Sequence, residues 1–273
     1  PVDEDLVPRY ESLLQVAREV GRHMQRGVLV VIESTVAPGT TQQVVQPILE
    51  QESGLKGGRD FYLAFSYERV MPGKLLEYIT DFPRVVGGID EESTRRAVEL
   101  YRHIVRREIT PTDALTAEMA KVVENAYRDV NIAFANEVAL LCESIGVDVY
   151  ELRRLINARP DRHMHLPGAG VGGHCLPKDP WLLVYGVQTY GEGSPQPRLI
   201  PLAREINDEM PRHMFRLIQA GLAEVGRDLA GARVVPLGVS YLEDADDTRN
   251  TPAAPLARQL LAHGAEVVAH DPY

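Results

Sequence analysis

The sequence predicts an α/β protein in three parts: an α/β segment over 1–110, a helical segment over 111–228 and the opening of a second α/β segment over 229–273. Three observations carry this. Short continuous apolar runs alternate with stretches of helical periodicity at both ends of the chain, as strands alternate with helices. Residues 113–145 contain neither glycine nor proline and read as one helix, about 50 Å long at 1.5 Å per residue. The length of 273 residues exceeds one average domain.

Each element follows from local pattern. Residues 9–25 set Tyr10, Leu13, Leu14, Ala17 and Val20 at helical spacing. Residues 27–32 are a continuous apolar run, suited to a buried parallel strand. The loop 33–41 follows, then a helix near 41–51. Residues 62–66 and 84–88 read as strands and 92–105 as a helix. Gly146 ends the long helix, and shorter helices follow near 148–157 and 200–223. Residues 232–238 form a strand, Thr251 to His263 a helix with Pro252 in its first turn, and 265–269 a strand. No strand of the first segment opens onto a glycine-rich dinucleotide turn. That segment therefore reads as the second half of an α/β domain whose first half is missing. The last segment reads as a βαβ unit cut short, with too few strands for a sheet.

Composition excludes several classes. The net charge of −10 argues against nucleic acid as the partner. No apolar run reaches the roughly 20 residues of a membrane helix, and the acidic start Pro1-Val2-Asp3-Glu4-Asp5 is not a signal peptide. Two cysteines, Cys142 and Cys175, make no disulfide scaffold and fit a cytoplasmic setting. No Cys or His spacing suggests a metal site.

The strongest chemical signal is Gly168-Ala-Gly-Val-Gly172-Gly173-His174-Cys175-Leu-Pro177-Lys178-Asp179-Pro-Trp181. Residues 168–173 satisfy G-x-G-x-x-G formally. A dinucleotide fingerprint must follow a strand and open a helix, and Arg162 to Pro167 is no strand. The glycines suit close passage of backbone past a bulky ligand. Cys175 is expected to open a short helix with Pro177 in its first turn, where the helix terminus and Lys178 would favour thiolate. The alternative is a structural cysteine beside a glycine turn. Cys142 lies at core helical spacing and reads as inert.

On the long helix, Lys121, Asn125 and Arg128 share a face at i, i+4 and i+7, beside an apolar surface. Two cations and an amide so aligned suit an anionic or oxyanionic ligand. The alternative is a solvated face with Glu118–Lys121 and Glu124–Arg128 ion pairs. The strand-end loop Ser34 to Thr41 offers hydroxyls to a ligand, or simply caps a helix. After the next strand, Ser66-Tyr67-Glu68-Arg69-Val70-Met71-Pro72-Gly73 presents Glu68 as a base or as an ordinary surface carboxylate. In the last segment, Leu237-Gly238-Val239-Ser240-Tyr241 carries one glycine, and Arg249 either reaches a phosphate or belongs to a solvated acidic turn.

These motifs, in this order and at these spacings, resemble the UDP-glucose/GDP-mannose dehydrogenase family over essentially the whole chain. His174 before the cysteine looks like the branch acting on UDP-N-acetylmannosamine or UDP-N-acetylglucosamine. The resemblance implies a partial Rossmann-like N-terminal domain that binds NAD, a central helical dimerisation and catalytic domain, and the start of a second Rossmann-like domain that binds UDP. It implies a homodimer through the long helix and a UDP-sugar substrate.

It also implies roles by motif. Cys175 is the nucleophile and Lys121 the general acid/base. Asn125 and Asp179 position water and the developing oxyanion, and Glu68 is the carboxylate of the P-E-R loop. Thr35, Lys178 and Arg249 contact NAD. Arg69, Val70, Arg128, Arg159, Gly172 and Tyr241 contact substrate. Three places depart from the family pattern: Tyr67 stands for the usual proline, Leu242 for the usual lysine, and Arg159-Pro160-Asp161-Arg162 only loosely matches the family's H-P-R loop.

The implied chemistry is a four-electron oxidation of a sugar C6 alcohol to a carboxylate through a thiohemiacetal and a thioester. Other substrates within the family are UDP-glucose and GDP-mannose. Two other readings stand beside it: a non-enzymatic nucleotide-sugar-binding dimerisation module, and an unrelated cysteine acyltransferase or hydrolase, which needs a His base and is weakened because His174 adjoins the cysteine in sequence.

Overall fold

In a computed structural model, residues 2–70, 74–193 and 196–272 are described. The chain forms a mixed α/β structure with two compact units. The first comprises Pro1–Glu124 and Trp181–Gln196, the second Asn125–Pro180 and Pro197–Tyr273.

The first unit holds a four-stranded sheet in the order β1 (Leu29–Ile32), β2 (Tyr62–Phe65), β3 (Arg84–Gly88), β4 (Ile109–Asp113). β1 runs parallel to β2, β2 antiparallel to β3, and β3 parallel to β4. Helix α1 (Glu11–His23) and helix α2 (Gln46–Ser53) cover one cluster of core side chains, in which Leu49, Phe61 and Leu63 are fully buried. Helix α4 (Glu91–Tyr101) covers another with Ala64, Val86 and Ala97. Asp90 starts α4 by accepting a hydrogen bond from the Ser93 N–H.

Several expectations need correction here. β1 is half-buried along its length because it lies at an edge of the described sheet. The helix expected near 41–51 begins as a π turn, Thr41–Val45, before α2. The sequence pattern predicts neither helix α3 (Leu75–Asp81) nor strand β4. β4, Ile-Thr-Pro-Thr-Asp, has neither an apolar run nor clean alternation. Its pairing with β3 makes it a strand. Asp113 therefore ends β4, and the long helix α5 is Ala114–Ile145. The stretch Met71-Pro72-Gly73 lies outside the described residues.

The second unit contains most of α5, α6 (Val149–Asn157) and α8 (Leu199–Glu224). Asp148 caps α6 through the N–H groups of Tyr150 and Glu151. Helix α7 (Asp179–Tyr190), which from Trp181 onward belongs to the first unit, is longer than the short helix the sequence predicts. Its continuous apolar run lacks helical periodicity, as expected of a helix buried on most sides. α9 (Ala253–Ala262) joins two short strands, β5 (Arg233–Val234) and β6 (Glu266–Val267), which pair in parallel after all. Phe215, Leu260 and Ala265 bind this βαβ segment to α8.

Pro211 lies inside α8 and has no N–H to donate to the Asn207 carbonyl. That carbonyl stands 3.2 Å from where a side chain on Gly170 would begin. The imperfection in the helix thus faces the glycine loop. Among the described residues no helix is long and apolar enough to cross a membrane.

Candidate active site

In the first unit, the loop leaving β1 is fixed by one buried carboxylate. Glu118 on α5 accepts from the Gly39 N–H at 2.6 Å, the Thr41 N–H at 2.8 Å and the Thr41 hydroxyl at 2.6 Å. Burial raises its pKa, opposed by those three donors. Gly39 has φ +96°, and the Tyr190 ring fills the space a side chain would need. The sequence offered Glu118 as half of a Glu118–Lys121 surface pair. It is instead a buried clamp on the loop that carries half-buried Thr35.

Lys121, one turn later, is also buried. Its Nζ donates to the Glu68 backbone carbonyl at 2.9 Å and lies 3.8 Å from the Glu68 carboxylate. The Tyr67 ring centroid is 5.4 Å from the ammonium. Tyr67 donates to Glu124 at 3.2 Å and accepts from Arg69, which also pairs with Glu124 and reaches the Pro83 carbonyl. Burial pushes the Tyr67 hydroxyl up to about 12, so it stays a neutral donor. Glu124 is therefore engaged by Tyr67 and Arg69, in place of the Glu124–Arg128 pair of the alternative reading. The Val70 N–H donates to the Glu68 carboxylate. Beyond the departure at position 67, no local pattern marks Tyr67 and Glu124 as members of this cluster.

In the second unit, Cys175 is exposed and Cys142 is buried. Cys175 does not open a helix as expected. It sits in a turn whose carbonyl accepts from the N–H groups of Lys178 and Asp179, and α7 starts four residues later. Pro180, not Pro177, occupies the first turn of α7. Asp179 is fully buried. It pairs with the Lys178 ammonium and accepts from the Asn125 amide at 2.5 Å. Lys178 is thereby committed to its neighbour.

Residues 168–173 follow no strand and open no helix. Their glycines serve a different close approach from the one expected. A side chain on Gly172 would meet the Tyr241 Cβ at 2.6 Å, and one on Gly173 the Tyr241 ring at 2.8 Å. The neighbour is protein, and it is Tyr241 itself. Asn136 accepts from the Gly168 N–H at 2.8 Å and donates to Asn207, which donates in turn to Asp129 at 2.9 Å. The buried Asp129–Arg204 pair completes this bracket at 2.6 Å.

Arg249 is paired with Asp247, whose carboxyl its guanidinium holds down at about 2. Burial, and then Asp247, raise the Tyr241 hydroxyl, with Cys175 among the smaller contributors. Burial, then Lys178 and Arg249, lower the His174 pKa. No hydrogen bond orients the His174 ring among the described residues, which disfavours a cysteine–histidine hydrolase. Arg128 and Arg159 are exposed, and Arg159 pairs with Asp161 at 2.6 Å. Arg128 stands one turn beyond Asn125 on α5.

An α/β chain with a lysine buried on a long helix and a cysteine on a glycine loop is the class these features define. Three family models match it in succession: the NAD binding domain over residues 1–105, the central domain over 115–209 and the UDP binding domain over 236–273. The chain belongs to the UDP-glucose/GDP-mannose dehydrogenase family. It is 43% identical to a UDP-N-acetyl-D-mannosamine dehydrogenase of Pyrococcus horikoshii, over 97% of this chain and 62% of that protein. A solved UDP-D-ManNAc dehydrogenase from the same organism superposes with TM-score 0.93 at 42% identity, over 100% of this chain and 63% of that one. An NDP-N-acetyl-D-galactosaminuronic acid dehydrogenase from Methanosarcina mazei gives 0.92 at 44% identity, over 100% and 60%. The chain thus spans under two thirds of the length of these relatives.

Proposed function

We propose that the protein acts, at full length, as an NAD-dependent nucleotide-sugar 6-dehydrogenase. It oxidises the C6 hydroxyl of a UDP-N-acetylhexosamine, with UDP-N-acetyl-D-mannosamine the first choice, to the uronate. The observation that carries this reading is the contrast between the two thiols: Cys175 is exposed on a loop braced by Asn136, Tyr241 and the start of α7, whereas Cys142 is sealed in the core. The relatives' names supply the substrate class.

In this reading Lys121, held by the Glu68 carbonyl, takes the C6 hydroxyl proton, directly or through water. The Cys175 thiolate adds to the resulting aldehyde and forms a thiohemiacetal. Loss of hydride leaves a thioester, and water cleaves it to the carboxylate and the thiol. The Asn125 amide, set by Asp179, and the Lys121 ammonium stabilise the oxyanions. Glu68 assists water. NAD, when bound, supplies the hydride acceptor for both two-electron steps. The loop after β1 fits such a cofactor: it leaves the carboxyl end of a strand in parallel register, with Thr35 at its start. Lys178 and Arg249 are the further NAD contacts.

Arg69, Val70, Arg128, Arg159, Gly172 and Tyr241 are the sugar-nucleotide contacts. Residues 1–110 are assigned to the NAD-binding part, 111–228 to the dimerisation and catalytic part, and 229–273 to the start of the UDP-binding part. The dimer forms through α5, where Tyr127, Phe134, Leu141 and Ile145 leave a stripe exposed by 56–75% at spacings of seven, seven and four. The cytoplasm is the compartment, on cysteine usage.

The test is a full-length enzyme assayed with a panel of UDP- and GDP-sugars. Two NADH per sugar consumed are expected, with the N-acetylhexosamines preferred. Cys175→Ser should abolish uronate formation; acid produced at the wild-type rate by that variant rules out the covalent role.

A further inference from the structure

Gly173, two residues before Cys175, is buried with φ +89°. Both of its backbone polar groups are satisfied from one short segment. Its N–H donates to the Arg249 carbonyl at 2.8 Å, and its carbonyl accepts from the Asn250 side-chain amide at 2.9 Å. Asn250 is one of three non-glycine residues with positive φ among those described, at +52°. Asparagine tolerates that left-handed backbone better than most side chains. The same turn puts the Asn250 carbonyl 3.0 Å from the position a Gly172 side chain would take. Immediately afterwards the chain enters α9, with Pro252 at its start and the Thr251 hydroxyl accepting from the Ala253 N–H at 3.3 Å. The segment is thus anchored to a helix rather than to a free loop.

We propose that Asn250 is a positioning residue for the nucleophile. From the segment matched by the UDP binding domain, it clasps Gly173 and fixes the loop that presents Cys175. The proposal rests on Cys175 being the nucleophile. The physical reason is that a covalent step needs the sulfur held at a set distance from the aldehyde carbon. The loop's glycines cannot supply that rigidity themselves. A left-handed asparagine, pinned at a helix start, can.

The experiment uses the full-length enzyme with two substitutions. Asn250→Gly accepts the backbone conformation and loses only the amide. Asn250→Asp keeps the shape and turns an acceptor toward the Gly173 carbonyl. Each is expected to lower kcat by about 10- to 100-fold while KM for the UDP-sugar stays within about two-fold. Amide hydrogen exchange over residues 170–176 should accelerate in both, with α5 and α8 unchanged. A KM change at unaltered kcat, or wild-type exchange over 170–176 in both variants, overturns the proposal. If Asn250→Asp fails to fold, Asn250→Gly decides alone. Cys175→Ser is run beside them. Uronate formation surviving in that variant removes the nucleophile reading, while the exchange data still decide whether Asn250 holds the loop.

Discussion

Single residues carry most of what fixes the two clusters, and Glu118 is the clearest case. One carboxylate serves two N–H groups and a hydroxyl in a site closed to water. Buried donors left without partners cost about 1–3 kcal/mol each, partly relieved when water enters. Glu118→Ala should therefore lower unfolding stability by about 3 kcal/mol. Urea denaturation should show a shifted midpoint at unchanged slope. Tyr67→Phe removes only a hydroxyl between Glu124 and Arg69, both partly exposed, and should cost about 1 kcal/mol by the same measurement. Neither role was legible in the sequence. A glutamate three residues before a lysine on a helix reads as a surface pair, because spacing reveals the shared face and not what covers it. The departure from proline at position 67 was visible. Its consequence was not, since the ring acts through residues distant in sequence.

At the level of elements, the glycine loop and the turn that meets it behave as one unit. Gly173→Ala places a methyl within 3 Å of the Tyr241 ring and forces a side chain onto φ +89°. A loss of about 1–3 kcal/mol is expected, read from thermal unfolding. The facing turn adds an acid sensitivity. Arg249 holds the Asp247 carboxyl near 2, well below its unfolded value. A depressed carboxyl contributes stability above the unfolded pKa and loses it as pH falls toward 2. The wild-type midpoint in urea should therefore drop between about pH 4 and pH 2 more steeply than that of Asp247→Asn, which has no such contribution to lose. Periodicity made α1, α4, α5, α6, α8 and α9 legible to within a few residues. It missed β4, whose Thr-Pro-Thr run becomes a strand only by pairing with β3, and α7, whose uniform apolarity conceals its period. The helix after Cys175 starts four residues later than the sequence predicts. Pro177 and Pro180 both satisfy the first-turn rule, and the spacing does not reveal the turn at Cys175 or the Asn125–Asp179 bond that accompany the later start.

On the scale of the whole molecule, family membership was legible because the motif residues are local in sequence and keep their order. The bracket of Asp129, Arg204, Asn207 and Asn136 behind the glycine loop was not, since its members lie on α5 and α8 and meet only in the fold. The stripe on α5 leads to a measurable consequence for assembly. Charge at the centre of an apolar self-contact is strongly unfavourable. For the dimer proposed through α5, Phe134→Glu with Leu141→Glu in the full-length protein is expected to give a monomer in sedimentation velocity. An unchanged sedimentation coefficient would assign that stripe to another role.

The unequal burial of the two sulfurs also has a practical meaning. A folded molecule should react with one equivalent of a thiol-specific disulfide reagent, and a second should be consumed only as the core comes apart. Counting released chromophore would then report unfolding without any added label. The same titration repeated with nucleotide sugar present would show whether the first equivalent is shielded.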